Sequence, residues 1–295
     1  MGHHHSHDHS HSEGNIRVAF FLNLAFTIIE IIGGLYTNSL AILSDALHDL
    51  GDSLSLGLSW YFQQVSKKGR TPKFSFGYKR FSLLGVIINS IVLVVGSIVV
   101  LSHAIPQLWN PEESDAKGMM YLAILGVVVN GLAVFRLRKG ESLNEKVVSL
   151  HLLEDVLGWV AVLIGSLIMM FFDAPIIDPV LSILITAFVL FNVYKNIKES
   201  MRIILQGTPS DIEIDKVENE IASVNTVLSM HDCHLWSLDG TYHILTAHVV
   251  LDKNYNLEEL SQIKSQIFEV VAKFNIKHST LSFELESEIC ELENC

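Results

Sequence analysis

Residues 81–105 read FSLLGVIINSIVLVVGSIVVLSHAI, and His103 is the only ionisable side chain among them. As a helix rising about 1.5 Å per residue, such a run is longer than the roughly 30 Å of hydrocarbon in a bilayer. It is apolar on every side, so it has no face to turn toward water. The whole chain agrees, with 49% hydrophobic and 18% charged residues, against about 25% charged in soluble domains. The expectation is an α-helical membrane protein whose first partner is the lipid bilayer.

Outward from this run, stretches near 18–36, 40–62, 119–135, 147–172 and 176–205 also reach membrane length, which predicts six transmembrane helices. Loop charges orient them. SKKGRTPKFSFGYKR carries Lys67, Lys68, Arg70, Lys73, Lys79 and Arg80, and RLRKGESLNEK carries Arg136, Arg138, Lys139 and Lys146. TNS and FFDAPIID hold no Lys or Arg, and QLWNPEESDAKG holds only Lys117. The bias toward basic cytoplasmic loops then places both termini in the cytoplasm. The expected location is a bacterial inner membrane, or an organelle membrane in a eukaryote. The start, MGHHHSHDHSHSEGNIR, lacks the basic patch and short apolar run of a cleavable signal peptide.

GTPSD at 207–211 punctuates a change to a polar tail. Residues 209–295 hold 16 Asp or Glu against 5 Lys, nearly all of the chain's net charge of -12. That balance excludes nucleic acid as a partner and disfavours docking on anionic lipid. Ile212, Val217 and Ile221 recur at helical spacing; VLSMHDCHLWSL and YHILTAHVVL read as strands about a DG turn; NLEELSQIKSQIFEVVAKF is an amphipathic helix and STLSFELE a last strand. The order αββαβ predicts a small two-layer α/β domain, short enough to favour dimerisation. The expected organisation is a His-rich tail at 1–15, six membrane helices within 16–208, the α/β domain at 209–287 and a Cys-containing tail at 288–295.

SDALHDLGD, residues 44–52, lies inside the second span. Ionisable groups at membrane depth persist mainly where they are functional. His48 and Asp52 stand four apart and share a helix face, and HLLED repeats the spacing with His151 and Asp155. Two imidazole nitrogens and two carboxylate oxygens make a closed tetrahedral set suited to Zn2+, with Co2+ or Cd2+ also fitting. Copper(I) would want sulfur, and the spans hold no Cys. One such pair alone is more often a structural, buried His held by an Asp; the duplication favours metal. Asp45, one turn before His48, lines the ion route or marks a helix boundary. His231, His248, His278 and Glu284 fall on predicted neighbouring strands, as metal ligands or as structural residues, and strand alternation turns His234 away from His231. The six N-terminal histidines, interleaved with Ser and Asp, read as a metal-collecting tail or as an appended tag. Cys233, Cys290 and Cys295 are expected to stay reduced and are candidate ligands.

The His-rich start, SDALHDLGD, FGYKR, HLLEDVLGW and the HDCHLWSLDG…HILTAHVVL…HSTLSFELE tail together resemble the cation diffusion facilitator family. These are zinc exporters that include the bacterial cobalt, zinc and cadmium resistance type and the animal zinc transporters. The resemblance implies a transport site at His48, Asp52, His151 and Asp155, and a cytoplasmic zinc site at His231, His248, His278 and Glu284. It also implies a homodimer with metallochaperone-like (ferredoxin-like) cytoplasmic domains and exchange of cytosolic Zn2+ for protons. Cys290 and Cys295 resemble the C-terminal cysteine pair of some animal zinc transporters, at wider spacing. The N-terminal His-Cys-His of those relatives is absent, so His3, His4, His5, His7, His9 and His11 would take its place. The expected function is a proton-coupled antiporter, not an enzyme. The alternative is a membrane-anchored zinc sensor or buffer acting through its soluble domain. A zinc hydrolase is disfavoured by the absence of HExxH and by a ligand set with no open position, and an ATP-driven pump by the absence of a phosphate-binding loop.

Overall fold

The computed structural model describes residues 8–137 and 143–288, with side chains described except at 8–20, 22, 59, 63, 136–137 and 143–151. Six long helices come first: α1 (Asp8–Thr37), α2 (Leu40–Ser66), α3 (Phe81–Gln107), α4 (Ala116–Leu137), α5 (Leu143–Phe172) and α6 (Ile177–Ile204). Phe81–Gln107, Ala116–Phe135, Leu152–Phe172 and Ile177–Ile204 are long and apolar enough to cross a membrane. In α1 the apolar stretch within the described residues is the shorter Asn23–Thr37. In α2 the hydropathy is lowered by Asp45, Asp49 and Asp52, which sit within two turns of one another.

The α1–α2 corner is built by local chemistry. Thr37 Oγ1 donates to the Gly33 carbonyl at 2.8 Å, Asn38 takes the left-handed conformation at φ 50°, and Ser39 Oγ accepts from the Ile42 amide at 3.2 Å. Asparagine tolerates that backbone because its short amide bonds locally. The remaining donors at the start of α2 are taken by a distant residue. Asp178, in the first turn of α6, accepts from Ser39 Oγ, from Leu40 N at 2.7 Å and from Ala41 N at 3.2 Å. A buried carboxylate at the positive end of a helix meets both its hydrogen-bonding and its electrostatic needs. It ties α2 to α6 at that end. Further along, α2 and α3 interlock through glycines: a Cβ on Gly51 would stand 2.5 Å from Leu93 Cδ2, and one on Gly96 2.3 Å from Leu47 Cδ1. Each leucine fills the space left by the facing glycine, which holds α2 in place.

The polar tail folds as α7 (Ile214–Ala222), β1 (Val227–Ser237), β2 (His243–Leu251), α8 (Leu257–Ala272) and β3 (Ile276–Leu285). This is the αββαβ order read from the sequence. The sheet order is β1-β2-β3, with β1 and β2 antiparallel and β2 and β3 parallel. Asp239 Oδ1 accepts from the amides of Thr241 and Tyr242, and Gly240 at φ 91° supplies the turn that lets β1 double back. Val217, Ile221, Leu235, Leu245, Val249, Ile263, Ile267 and Ile276 form the core between helices and sheet. Burial of Ile276 brings the start of β3 three residues ahead of the STLSFELE reading. Asn256 and Glu259 form a reciprocal cap at the head of α8.

Contacts divide the chain into two compact units, one of them combining Gln64–Leu84 with the chain from Ile197 onward. The basic loop between α2 and α3 thus packs with the α/β fold. Lys79 Nζ lies 4.2 Å from the centre of the Tyr242 ring, and Phe76 meets the His278 ring edge-on at 5.8 Å.

Candidate metal centres

In the helical unit, α2 and α5 converge on one group of donors. His48 Nε2 lies 3.7 Å from Asp52 Oδ2 and 3.8 Å from Asp155 Oδ1, and the three ligand atoms all lie within 4.8 Å of one another. Ligand atoms around a tetrahedral Zn2+ stand about 3.3 Å apart, given bonds of about 2.0–2.1 Å. The separations are therefore close to those an ion would draw together. His151 lies one turn before Asp155 in α5; its side chain falls outside the described residues. Asp45, 5% exposed, faces α5 with Oδ1 3.6 Å from where a Cβ on Gly158 would stand. Gly158 leaves room for that carboxylate beside the donor group. On the α1 side, Asn23 Nδ2 donates to the Asp49 carbonyl at 2.9 Å and to Ser53 Oγ at 3.0 Å, and Glu30 and Asp49 are both buried. Asn23 thereby ties α1 to α2.

A second group lies on the face of the three-stranded sheet opposite its hydrophobic core. His231 on β1, His248 on β2 and Glu284 on β3 bring donor atoms within 4.8 Å of one another. His248 Nδ1 is 2.7 Å from Glu284 Oε1, and His231 Nε2 is 3.3 Å from Glu284 Oε2. Cross-strand register explains the meeting of His231 and His248, which are paired directly. His278 is placed elsewhere. It pairs with Ile244 whereas Ser282 pairs with His248, so His278 lies four residues, roughly 13 Å, along the strand. There its ring packs on Phe76 instead.

His234 corrects a sequence expectation. The ladder pairs His231 with His248 and His234 with Thr246, so β1 spends one more residue than β2 over that interval. The bulge returns His234 to the face of His231, against simple alternation. Asp232, at φ 46°, sits in the bulge and reaches both histidines: Oδ1 is 2.9 Å from His234 Nε2 and Oδ2 is 3.8 Å from His248 Nε2. Sequence reading passed over Asp232; its signal is an acidic residue between two histidines, and the bulge that aims it has no sequence mark. Asp178, which caps α2, was also missed, because the contact spans 138 residues. Cys233, beside Asp232, turns its thiol toward the core. Cys290, Cys295 and His3, His4, His5, His7, His9 and His11 fall outside the residues whose side chains are described.

Two family models account for the chain. Residues 16–205 match the cation efflux transmembrane domain, and residues 209–284 match the cytoplasmic domain of cation efflux proteins. The chain belongs to the cation efflux family, the cation diffusion facilitators. Its relatives include the metal cation efflux system protein CzcD of Cupriavidus metallidurans, 35% identical over 96% of this chain and 90% of that protein. A cadmium, cobalt and zinc/H(+)-K(+) antiporter of Bacillus subtilis is 32% identical over 97% of this chain and 93% of its own length. The metal-bound C-terminal domain of the Cupriavidus CzcD transporter, a solved structure, is 36% identical over 25% of this chain and 100% of its own, with a TM-score of 0.23. This cation efflux protein is therefore an integral membrane transporter with a helical membrane domain and a cytoplasmic domain built on a small sheet.

Proposed function

We propose that this chain exports Zn2+ from the cytosol in exchange for protons, with His48, Asp52, His151 and Asp155 as the transport ligands. The observation that carries the proposal is the meeting of His48 and Asp52 on α2 with Asp155 on α5, at the separations given above. The Bacillus subtilis relative, named as a cadmium, cobalt and zinc/H(+)-K(+) antiporter, supports both the metal class and coupled exchange. A zinc ligand must be deprotonated, so protons and metal compete for the same lone pairs. Imidazole changes protonation near neutral pH, so a donor set exposed alternately to a neutral cytosol and an acidic far side loads metal on one and protons on the other. Rocking of helices around a midplane site is sufficient to couple the two flows. In this reading all six long helices span, both termini are cytoplasmic, two chains form a homodimer, and Asp45 lies on the ion route.

The donor set on the sheet fits a resident Zn2+: two imidazoles and a carboxylate from three separate strands, already within 4.8 Å. Bound there, the ion would cross-link β1, β2 and β3 and favour whichever arrangement of the domain it binds best. Its place is regulatory or structural, since donors outside the bilayer carry nothing across it. The test is Zn2+ uptake into sealed proteoliposomes under an imposed pH gradient. Zinc accumulation driven by the gradient supports exchange; binding without gradient-driven accumulation would leave a membrane-anchored sensor or buffer, the reading that the sheet cluster alone would favour.

A further inference from the structure

We infer that Asp232 is a positioning residue of the cytoplasmic metal site, holding His248 so that it presents Nδ1 to the ion. The inference rests on the zinc reading of that site. His248 has a carboxylate on each side: Glu284 stands 2.7 Å from Nδ1, and Asp232 Oδ2 stands 3.8 Å from Nε2. A neutral imidazole gives one nitrogen to a metal and donates from the other, and the partner of the donating nitrogen decides which is which. On the Nδ1 side stands Glu284, whose other oxygen lies 3.3 Å from His231 Nε2. The Nε2 side faces a carboxylate that belongs to no ligand group. Asp232 is the acceptor that would keep the proton on Nε2, fix the ring plane and make Nδ1 the better donor to metal.

Three features of the fold aim Asp232 at this task. The β1 bulge puts it on the donor face of the sheet beside His231. Its backbone is left-handed at φ 46°, a conformation that surrounding structure must enforce in a residue with a Cβ. Its other oxygen is held 2.9 Å from His234 Nε2, leaving the carboxylate only 12% exposed. The neighbouring Cys233, half-buried, packs against the core and anchors the bulge from behind. The sequence His-Asp-Cys-His thus supplies one ligand, one orienting carboxylate, one anchor and one residue that steadies the carboxylate.

The test is a zinc titration of the full chain carrying Asp155→Ala, which removes a transport ligand, with His3, His4, His5, His7, His9, His11, Cys290 and Cys295 replaced by Ser, so that the cytoplasmic site is the one left to fill. Into that background go Asp232→Asn and Asp232→Gly, both of which tolerate the left-handed backbone. Loss of an outer partner weakens metal binding by about 10- to 100-fold, so both variants should show that loss with the number of bound ions unchanged. In 113Cd-loaded, 15N-histidine-labelled protein, cadmium coupling should appear on His248 Nδ1 in the parent and weaken or spread to Nε2 in the variants. Affinities within about twofold of the parent would overturn the inference. So would the loss of one bound ion in the Asp232 variants, which would make Asp232 a ligand of a second ion, or coupling to Nε2 in the parent. His231→Ala in the same background separates the two readings: if it too leaves the titration unchanged, the zinc site itself fails, whereas a loss there beside unchanged Asp232 variants sinks only the positioning role.

Discussion

The two donor groups are assembled by different kinds of geometry. On α2 and α5 the donors are helix neighbours, His48 and Asp52 within one turn of α2, so the helix fixes their spacing before any tertiary contact forms. On the sheet, His231, His248 and Glu284 come from three strands, and their meeting depends on cross-strand register and on one bulge. Helix-borne ligands are therefore preorganised locally and need only one correct helix–helix approach. Strand-borne ligands are as good as the register, and a ligand that ties three strands together reports on the state of the whole domain. The first arrangement suits a site that carries cargo, the second a site that senses it.

The largest expected effect follows from the helix-borne group. Asp155→Ala removes the α5 carboxylate facing His48, and gradient-driven zinc flux in proteoliposomes should fall by at least about 100-fold, the upper end of what losing even an outer partner costs. Normal flux would end the assignment. By contrast, replacing His231, His248 and Glu284 together by Ala should remove one bound zinc per chain and blunt activation by cytosolic zinc, while leaving flux within about tenfold of the parent. A folded, membrane-inserted triple variant with no flux at any zinc concentration would erase the division between cargo and sensing sites.

How legible each group was follows from the same contrast. The apolar run of α3 and the His-x-x-x-Asp spacings are written in consecutive residues, so helix positions and the His48, Asp52 and Asp155 face could be read directly. In the α/β domain the order of elements was equally readable, because its amphipathic helices and short strands carry strong periodicity. The details that set the second site were not. One residue of bulge at Asp232 reverses the face assigned to His234, and register along β3 sends His278 to Phe76 while Glu284 joins His248. Nor does hydropathy announce that the basic loop after α2 packs with the α/β fold through Lys79 and Tyr242. Its charges satisfy the positive-inside pattern whether or not they also pack. Asp178 illustrates the same limit within the helices: an acidic residue opening α6 looks like its own helix cap, yet it serves α2.

Selectivity sharpens the contrast by a smaller effect. Imidazole nitrogen favours Zn2+ over harder ions that prefer oxygen-rich octahedral surroundings. His48→Asp converts the α2 contribution to oxygen alone, so competition uptake should move toward Mn2+ by on the order of tenfold relative to Zn2+. The equivalent exchange on the sheet, His231→Asp, should leave the transported metal unchanged. If His48→Asp retains the parent preference, discrimination is made somewhere other than at the α2 donors.

The smallest expected effect concerns the one described cysteine, which adjoins the sheet cluster in sequence but not in chemistry. Burial first, and then the Glu218 carboxylate, push the Cys233 thiol up to about 12. The thiol also turns toward the hydrophobic core, away from the face of the sheet that carries His231, His248 and Glu284. Cys233→Ala should leave zinc affinity of the cytoplasmic site within about twofold, and in a chain with Cys290 and Cys295 replaced by Ser, alkylation should be slow until the domain unfolds. The pH dependence has a definite sign. The folded state favours the neutral thiol, so its contribution to stability is complete below the ordinary thiol range near 9 and is lost as pH rises from there toward about 12. A Cys233→Ala chain should lack that alkaline decline. Rapid alkylation of native Cys233 at pH 7, or a marked loss of zinc affinity in a folded Cys233→Ala chain, would mean that the sheet site draws on sulfur from the core side and that the bulge presents more than one face to the metal.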